Sequence, residues 1–400
     1  MPRFQYTARN FDGKVVTNDM EGDSKEAVIA KLRERGYFVT QIKEKGKEFQ
    51  LFQRKISTTE IAIFARQFAT MVGAGVPLVR CLTIMGQQCE NPRFRDIITK
   101  VRQDVEAGSN LSKALAGHPK VFSNLFVNLV KAGEAGGILE EILSRLANYL
   151  ESSEQLRQKV KGAMTYPVVV SAIACLVVIF LIVFVLPTFE TIFKDMGDAK
   201  LPLPTRMLLG LSAFMNQYLI LIVIGSVAAF IGMKKFFESE RGIRLFDNNI
   251  LRVPVIGMLQ KKVAVAKFTR TLGTLIASGV PILQALEVTA DTAGNVVIAD
   301  AVNKTRASIR EGESISEPLK ASTVFPPMVV QMIAVGEETG ELDKMLTKIA
   351  DFYDQEVDTA VKGLTSVIEP IVIVFMGIVI GGIVMAIFMP MLELVNSGTK

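Results

Sequence analysis

Residues 64–78 read FARQFATMVGAGVPL, and residues 268–282 read FTRTLGTLIASGVPI. The Gly-Val-Pro steps at Gly75 and Gly279 lie 204 positions apart, and the correspondence continues in order. Gly108 matches Gly312, and Leu111 and Leu115 match Ile315 and Leu319. After a one-residue slip the offset is 203, pairing Phe122 with Phe325 and Tyr149 with Phe352. Gly133-Glu134-Ala-Gly-Gly137 pairs with Gly336-Glu337-Glu-Thr-Gly340. Lys159 pairs with Lys362, Tyr166-Pro167 with Glu369-Pro370, and Pro187 with Pro390. Ordered matches at a fixed offset mark an internal duplication.

Both copies run into a long apolar stretch. Residues 167–186 carry no charge, and neither do residues 371–389. At 1.5 Å per helical residue, about 20 residues cross the roughly 30 Å hydrocarbon core. Two equivalent repeats on one side of a membrane need one return crossing. Residues 216–233 supply it, ending at Lys234-Lys235. The expected spans are therefore 167–187, 216–233 and 368–392. Pro167 and Pro187 bracket the first as start and stop signals, and Pro167 and Pro370 are expected to start, kink or relieve the long helices. Gly377, Gly381 and Gly382 in the third form a small-residue face of the kind that can bring membrane helices together. Basic residues flank the same ends: Arg157, Lys159 and Lys161 before the first span, Lys234, Lys235, Arg241 and Arg244 after the second, and Lys362 before the third. The positive-inside rule places the N-terminus and residues 234–367 in the cytoplasm. Residues 188–215 and 393–400 are then a periplasmic loop and tail.

The fold expected is a mainly α integral membrane protein with two duplicated cytoplasmic helical bundles, three transmembrane helices and a small N-terminal α/β element. That element covers 1–43. Phe4, Tyr6 and Ala8 alternate with polar residues as in a strand, residues 10–13 read as a turn, and 14–17 as the returning strand. Asp23 or Ser24 can cap a helix that Gly36 ends, and 37–42 reads as a further strand. Residues 44–55 form a charged linker. Repeat 1 occupies 56–166. Ser57 or Thr58 can cap its first helix, Gly75 and Pro77 mark a break, and further helices are expected near 94–107, 111–116, 122–132 and 138–165. Repeat 2 lies within 234–367, its last helix near 341–366.

Composition excludes much chemistry. The 400 residues contain one histidine, His118, and three cysteines, Cys81, Cys89 and Cys175. No zinc spacing and no Walker-type phosphate loop is present. A charge of +5, from 45 basic and 40 acidic residues, is too mild to point to nucleic acid. No catalytic, cofactor-binding or metal-ligating residue is expected, and no cofactor. Three spans without a buried charged relay argue against a transporter. His118 reads as a loop residue, Cys81 and Cys89 as two buried thiols in a reducing compartment, and Cys175 as packed on lipid or on another helix. The start at Met1 shows no apolar leader.

The duplicated glutamates invite most attention. Glu134 and Glu337 read as members of equivalent turns between helices, where glycine permits the turn and the carboxylate meets exposed N–H groups or a helix dipole. Contact with a partner is the second reading. Glu369, which replaces Tyr166 at a membrane entry, reads as a solvated interfacial carboxylate, with contact to a subunit or cargo helix as the alternative.

These strings resemble the inner-membrane platform proteins of type IV pilus and type II secretion machines. The resemblance rests on FQYTAR at 4–9, RQFATM at 66–71, GVPL at 75–78 and KAGE at 131–134. GVPI at 279–282, VGEETG at 335–340, TYP at 165–167, MG at 196–197 and LPLP at 201–204 extend it over nearly the whole chain. It implies a non-enzymatic role in the bacterial inner membrane. A cytoplasmic hexameric assembly or retraction ATPase would act on the cytoplasmic bundles, and the platform would relay that motion to pilins or pseudopilins being added or removed. Other inner-membrane assembly proteins would hold it in place, and it would work as a homo-oligomer, most simply a dimer. The RQFATM form and His118-Pro119 look closer to the pilus branch. A type II secretion platform and a non-mechanical membrane scaffold are the alternatives.

Overall fold

The computed structural model describes residues 3–9, 15–21, 25–34, 36, 38–45, 55–188, 203–254, 256–322 and 324–397. The chain forms two compact units, Met1–Lys55 and Ile56–Lys400.

In the first unit, β1 (Arg3–Arg9), β2 (Val15–Glu21) and β3 (Phe38–Lys45) make an antiparallel sheet ordered β2-β1-β3. Helix α1 (Lys25–Glu34) precedes β3 in the chain. The period of two on β1 puts Tyr6 and Ala8 into a small core with Val28 and Leu32 of α1. Both β2 and β3 run past their expected ends, at Thr17 and Ile42. The expected turn at 10–13 and the Asp23 or Ser24 cap fall outside the described residues.

The second unit is helical. Repeat 1 comprises α2 (Thr58–Gly73), α3 (Leu78–Gln88), α4 (Pro92–Glu106), α5 (Leu111–Ala116), α6 (Asn124–Gly136) and α7 (Leu139–Phe180). Ser57, not Thr58, caps α2. Its Oγ accepts from the Glu60 N–H at 3.1 Å, and its own N–H donates to Glu60 Oε2 at 2.6 Å, a full capping box. Gly75 then takes φ +78°, which closes the turn into α3, and Gly279 does the same at +75°. The core is aromatic. Phe64 touches Phe68, Phe94 and Phe122, and Phe122 meets Phe126 edge-on at 5.0 Å.

Helix α8 (Leu203–Phe237) and the short α9 (Glu240–Ile250) lead into repeat 2. This consists of α10 (Ile256–Ala277), α11 (Ile282–Thr292), α12 (Val296–Arg310), α13 (Ser316–Ala321), α14 (Pro327–Thr339) and α15 (Leu342–Ser397). The order of the six helices is that of repeat 1. Phe268 and Phe325, equivalents of Phe64 and Phe122, keep their contact with centroids 4.9 Å apart. Leu272, Ile298 and Val329 replace the other three rings, so the second core is more aliphatic.

Among the described residues three helices are long and apolar enough to cross a membrane, within Leu139–Thr188, Thr205–Phe237 and Leu342–Met389. Neither Pro167 nor Pro370 starts a helix, contrary to the start signal read at Pro167. Both lie inside continuous helices, α7 and α15. The missing proline N–H removes one rung of the hydrogen-bond ladder, and the helix on either side is long enough to carry that loss. Helix α7 passes into a π turn at Leu181–Val185 and continues to Thr188. The return helix also differs from expectation: it begins at Leu203, so residues 203–215 of the expected 188–215 loop are helical. Two of its small hydroxyls turn inward. Thr205 Oγ1 donates to the Ala386 carbonyl at 2.7 Å, and Ser212 Oγ to the Ile182 carbonyl at 2.6 Å. A π turn leaves carbonyls off the regular ladder, and α8 supplies a donor to one of them. At Tyr218 (φ −108°, ψ 15°) α8 kinks. Among the described residues, a Cβ built at Gly377, Gly381 or Gly382 in the third span meets no atom within 4 Å.

Candidate functional site

The duplicated glutamates occupy the last turns of α6 and α14, not turns between helices. The turn itself is made one step later by Gly137 and Gly340, in the left-handed region at φ 68° and 73°. Gly133 and Gly336 serve close approach. A Cβ on Gly133 would stand 3.1 Å from the Leu139 Cα, and one on Gly336 3.0 Å from the Leu342 Cα. That proximity lets the long helices α7 and α15 fold back against α6 and α14.

Freed from the turn, each carboxylate reaches across its bundle. The Leu111 N–H donates to Glu134 Oε1 at 2.6 Å, while the Ser112 N–H and Oγ donate to Oε2 at 3.2 and 2.5 Å. In repeat 2 the Ile315 N–H donates to both Glu337 oxygens, at 2.9 and 3.0 Å. Each glutamate thus caps the short helix α5 or α13, whose own N-cap residue makes no side-chain bond. The first N–H groups of a helix have no internal acceptor, and a charged acceptor is among the strongest they can find. The expected contact with exposed N–H groups is present, and the helix it serves belongs to the same bundle.

A second pair of equivalents joins first helix to last. Arg66 on α2 donates from Nε and Nη2 to Glu151 on α7 at 2.6 and 2.5 Å, and from Nη2 to Asn148 Oδ1 at 2.6 Å. Arg270 on α10 donates from Nη2 to Asp354 at 2.5 Å and to Asp351 at 3.0 Å on α15. Glu151 and Asp354 are 203 positions apart, as are Asn148 and Asp351. The guanidinium beside Glu151 holds its carboxyl below the ordinary value. These clamps are not legible from local pattern, because their partners lie 85 and 84 residues apart. The available signal is that both members recur at the repeat offsets.

The repeats also pack on each other. The Tyr149 hydroxyl on α7 shares a hydrogen bond with Thr271 Oγ1 on α10 at 3.1 Å. Lys159 on α7 pairs with Asp358 on α15 at 2.8 Å. Gln284 Nε2 on α11 donates to Asn128 Oδ1 on α6 at 2.7 Å. Burial raises the Tyr149 phenol above its usual pKa. Burial also lowers Lys267 on α10, with the Arg157 charge adding to the effect. A cleft of about 150 Å³ opens beside this seam, lined by Arg145, Tyr149, Arg270 and Thr347 among others.

The remaining singled-out residues lie elsewhere. His118 accepts backbone bonds from Val121 and Phe122 in the turn after α5. Cys81 is buried, Cys89 half-buried and Cys175 exposed on the first span. Burial raises both Cys81 and Cys89 above the usual thiol range. Glu369 is exposed beside Pro370. Among the described residues no group of three or more His, Cys, Asp or Glu could hold a metal ion.

Each repeat therefore has a glutamate-capped bundle whose last helix enters a membrane-spanning stretch. The family model described as type II secretion system (T2SS), protein F, matches both halves, at residues 64–187 and 268–390. The chain belongs to the type II secretion system protein F family. The N-terminal domain of that family matches residues 1–43. Two T2SS protein F relatives named for pilus assembly are similar over almost the full length. The type IV pilus assembly protein PilC of Thermus thermophilus is 43% identical over 404 residues, covering 99% of each chain. That of Myxococcus xanthus is 44% identical over 403 residues, covering 99% of this chain and 95% of its own. The type II secretion system protein F of Aeromonas hydrophila is 38% identical over 387 residues, covering 94% and 98%. Within the protein F family, each matched region includes a bundle and the span that follows it. The clamp, the glutamate cap and the membrane helix are thus parts of one repeated unit.

Proposed function

We propose that this protein is the inner-membrane platform of a type IV pilus assembly machine, relaying motion from a cytoplasmic hexameric ATPase to pilins entering or leaving the filament. The observation that carries the pilus assignment is near-complete alignment, at 43% and 44% identity, with proteins named for type IV pilus assembly. The relay is supported by continuity. α7 and α15 run from bundle core to membrane stretch without a break, so displacement of either bundle is carried along a helix instead of being absorbed by a loop. The clamps at Arg66 and Arg270 fix those helices to the first helix of each bundle. In this reading the N-terminus and both repeats are cytoplasmic and the 188–202 connection and the C-terminus periplasmic, as the basic flanks favour. The chain performs no catalysis of its own, and the ATPase supplies the energy. Inner-membrane assembly proteins and a second copy of the chain complete the platform.

Deletion of the gene tests this, with surface filaments, general secretion and ATPase recruitment scored together. Loss of filaments with secretion intact is the expected result, and normal filaments overturn it. A second reading, a type II secretion platform, is favoured by the 38% identity to an Aeromonas hydrophila protein F. Loss of secretion with filaments intact selects it.

A further inference from the structure

Helix α9 has no counterpart in repeat 1. Its positions less 204 fall at 36–46, before repeat 1 begins. Two residues separate it from α8, and Ser239 Oγ accepts from the Gly242 N–H at 3.1 Å. The rings of Phe237 and Phe246 meet edge-on at 5.1 Å and tie α9 to the end of the membrane helix. One side of α9 is docked. Asp247 accepts from the Val296 N–H at 2.8 Å, capping α12 together with Asn295. Away from that contact, Leu245 is 56% exposed and Phe246 47%, next to the exposed Phe236 and Phe237. Arg241, Arg244 and Leu245 fall at i, i+3 and i+4 and share a stripe. Lys234 and Lys235, also exposed, lie in the last turn of α8. Among the described residues none of these four cations takes part in an ion pair.

We propose that α9 is an interfacial helix that lies on the bilayer, with Leu245 and Phe246 at the acyl boundary and Lys234, Lys235, Arg241 and Arg244 on anionic lipid headgroups. Two observations choose lipid as the occupant. The apolar patch continues from the end of a membrane-spanning helix, and residues 234–244 carry four cations against Glu238 and Glu240, a net positive rim that suits an anionic surface. The consequence is asymmetric: α12, and through it repeat 2, is seated on the membrane by a device that repeat 1 lacks. The proposal rests on the membrane-spanning reading of α8 and not on the pilus assignment.

The test uses the full chain with Cys81, Cys89 and Cys175 replaced, carrying one environment-sensitive dye on Leu245→Cys. It is reconstituted into phosphatidylcholine vesicles with or without phosphatidylglycerol. Dyes at Leu221→Cys in the span and at the exposed Lys304→Cys on α12 set the lipid and water limits. The expected result is blue-shifted emission at position 245, quenched by acyl-brominated lipid, stronger with phosphatidylglycerol, and weakened by Arg241→Gln with Arg244→Gln. Phe246→Cys should report the same. Water-like emission at 245 overturns the proposal. So does blue-shifted emission that brominated lipid leaves unquenched, since a second copy or the N-terminal unit would then cover the helix.

Discussion

Arg66 grips Glu151 with two guanidinium nitrogens, one to each carboxylate oxygen, and so fastens the first helix of repeat 1 to the helix that enters the membrane. Both side chains are more than a third exposed, so the pair orients more than it stabilises. In a double-mutant cycle of Arg66→Ala and Glu151→Ala, the coupling should be about 1 kcal/mol or less. The charge swap Arg66→Glu with Glu151→Arg should recover part of it. Denaturant unfolding of the detergent-solubilised chain measures both.

The same pair sets a pH dependence. The bond from Arg66 lowers the Glu151 pKa in the folded protein. A carboxyl held below its unfolded value binds fewer protons when folded, so its contribution is fully present above the unfolded pKa. It is lost as the pH falls through the folded value. Melting temperature should therefore fall on acidification less steeply for Glu151→Gln than for the unaltered chain.

Glu134→Ala should cost about 1–3 kcal/mol, because three donors lose a charged acceptor. Glu134→Gln, which still presents an acceptor oxygen, should cost less. Amide hydrogen exchange gives the local readout: Leu111 and Ser112 should exchange faster in the alanine variant. Glu337→Ala should act in the same way at Ile315.

Gly133→Ala and Gly336→Ala should each destabilise by about 1–3 kcal/mol, since the added methyl meets the Cα of Leu139 or Leu342. Gly162→Ala on α7 is the control, with nothing within 4 Å of the new carbon. Thermal unfolding of the three variants should separate them cleanly.

Tyr149→Phe keeps the ring and removes the hydroxyl bonded to Thr271 at the seam between repeats. The expected cost is about 1 kcal/mol. A cysteine pair placed across α7 and α10 should crosslink more slowly in the variant if that bond holds the seam.

Much of the architecture is readable from residues alone. The 64–78 and 268–282 strings, the fixed offsets and the two uncharged runs need only counting, and duplication plus a return crossing follows from them. Helix ends were harder. Leu203 begins a helix because Thr205 and Ser212 find carbonyls on two other spans, and no local pattern contains those carbonyls. The mid-helix placement of Pro167 escaped local rules for a similar reason. A proline is a boundary signal only until flanking helix and packing outweigh one missing hydrogen bond.

The glutamates divide the two kinds of information most sharply. Residue order alone makes Glu134 and Glu337 equivalent, each following a glycine and each preceding a helix bound for the membrane. That these carboxylates cap α5 and α13, over 20 residues upstream, and that the glycines serve close packing, emerges from the folded bundle. Repetition and hydrophobic runs are properties of order along the chain. A cap between separate helices is a property of distance in space, and distance is set only when the whole bundle closes.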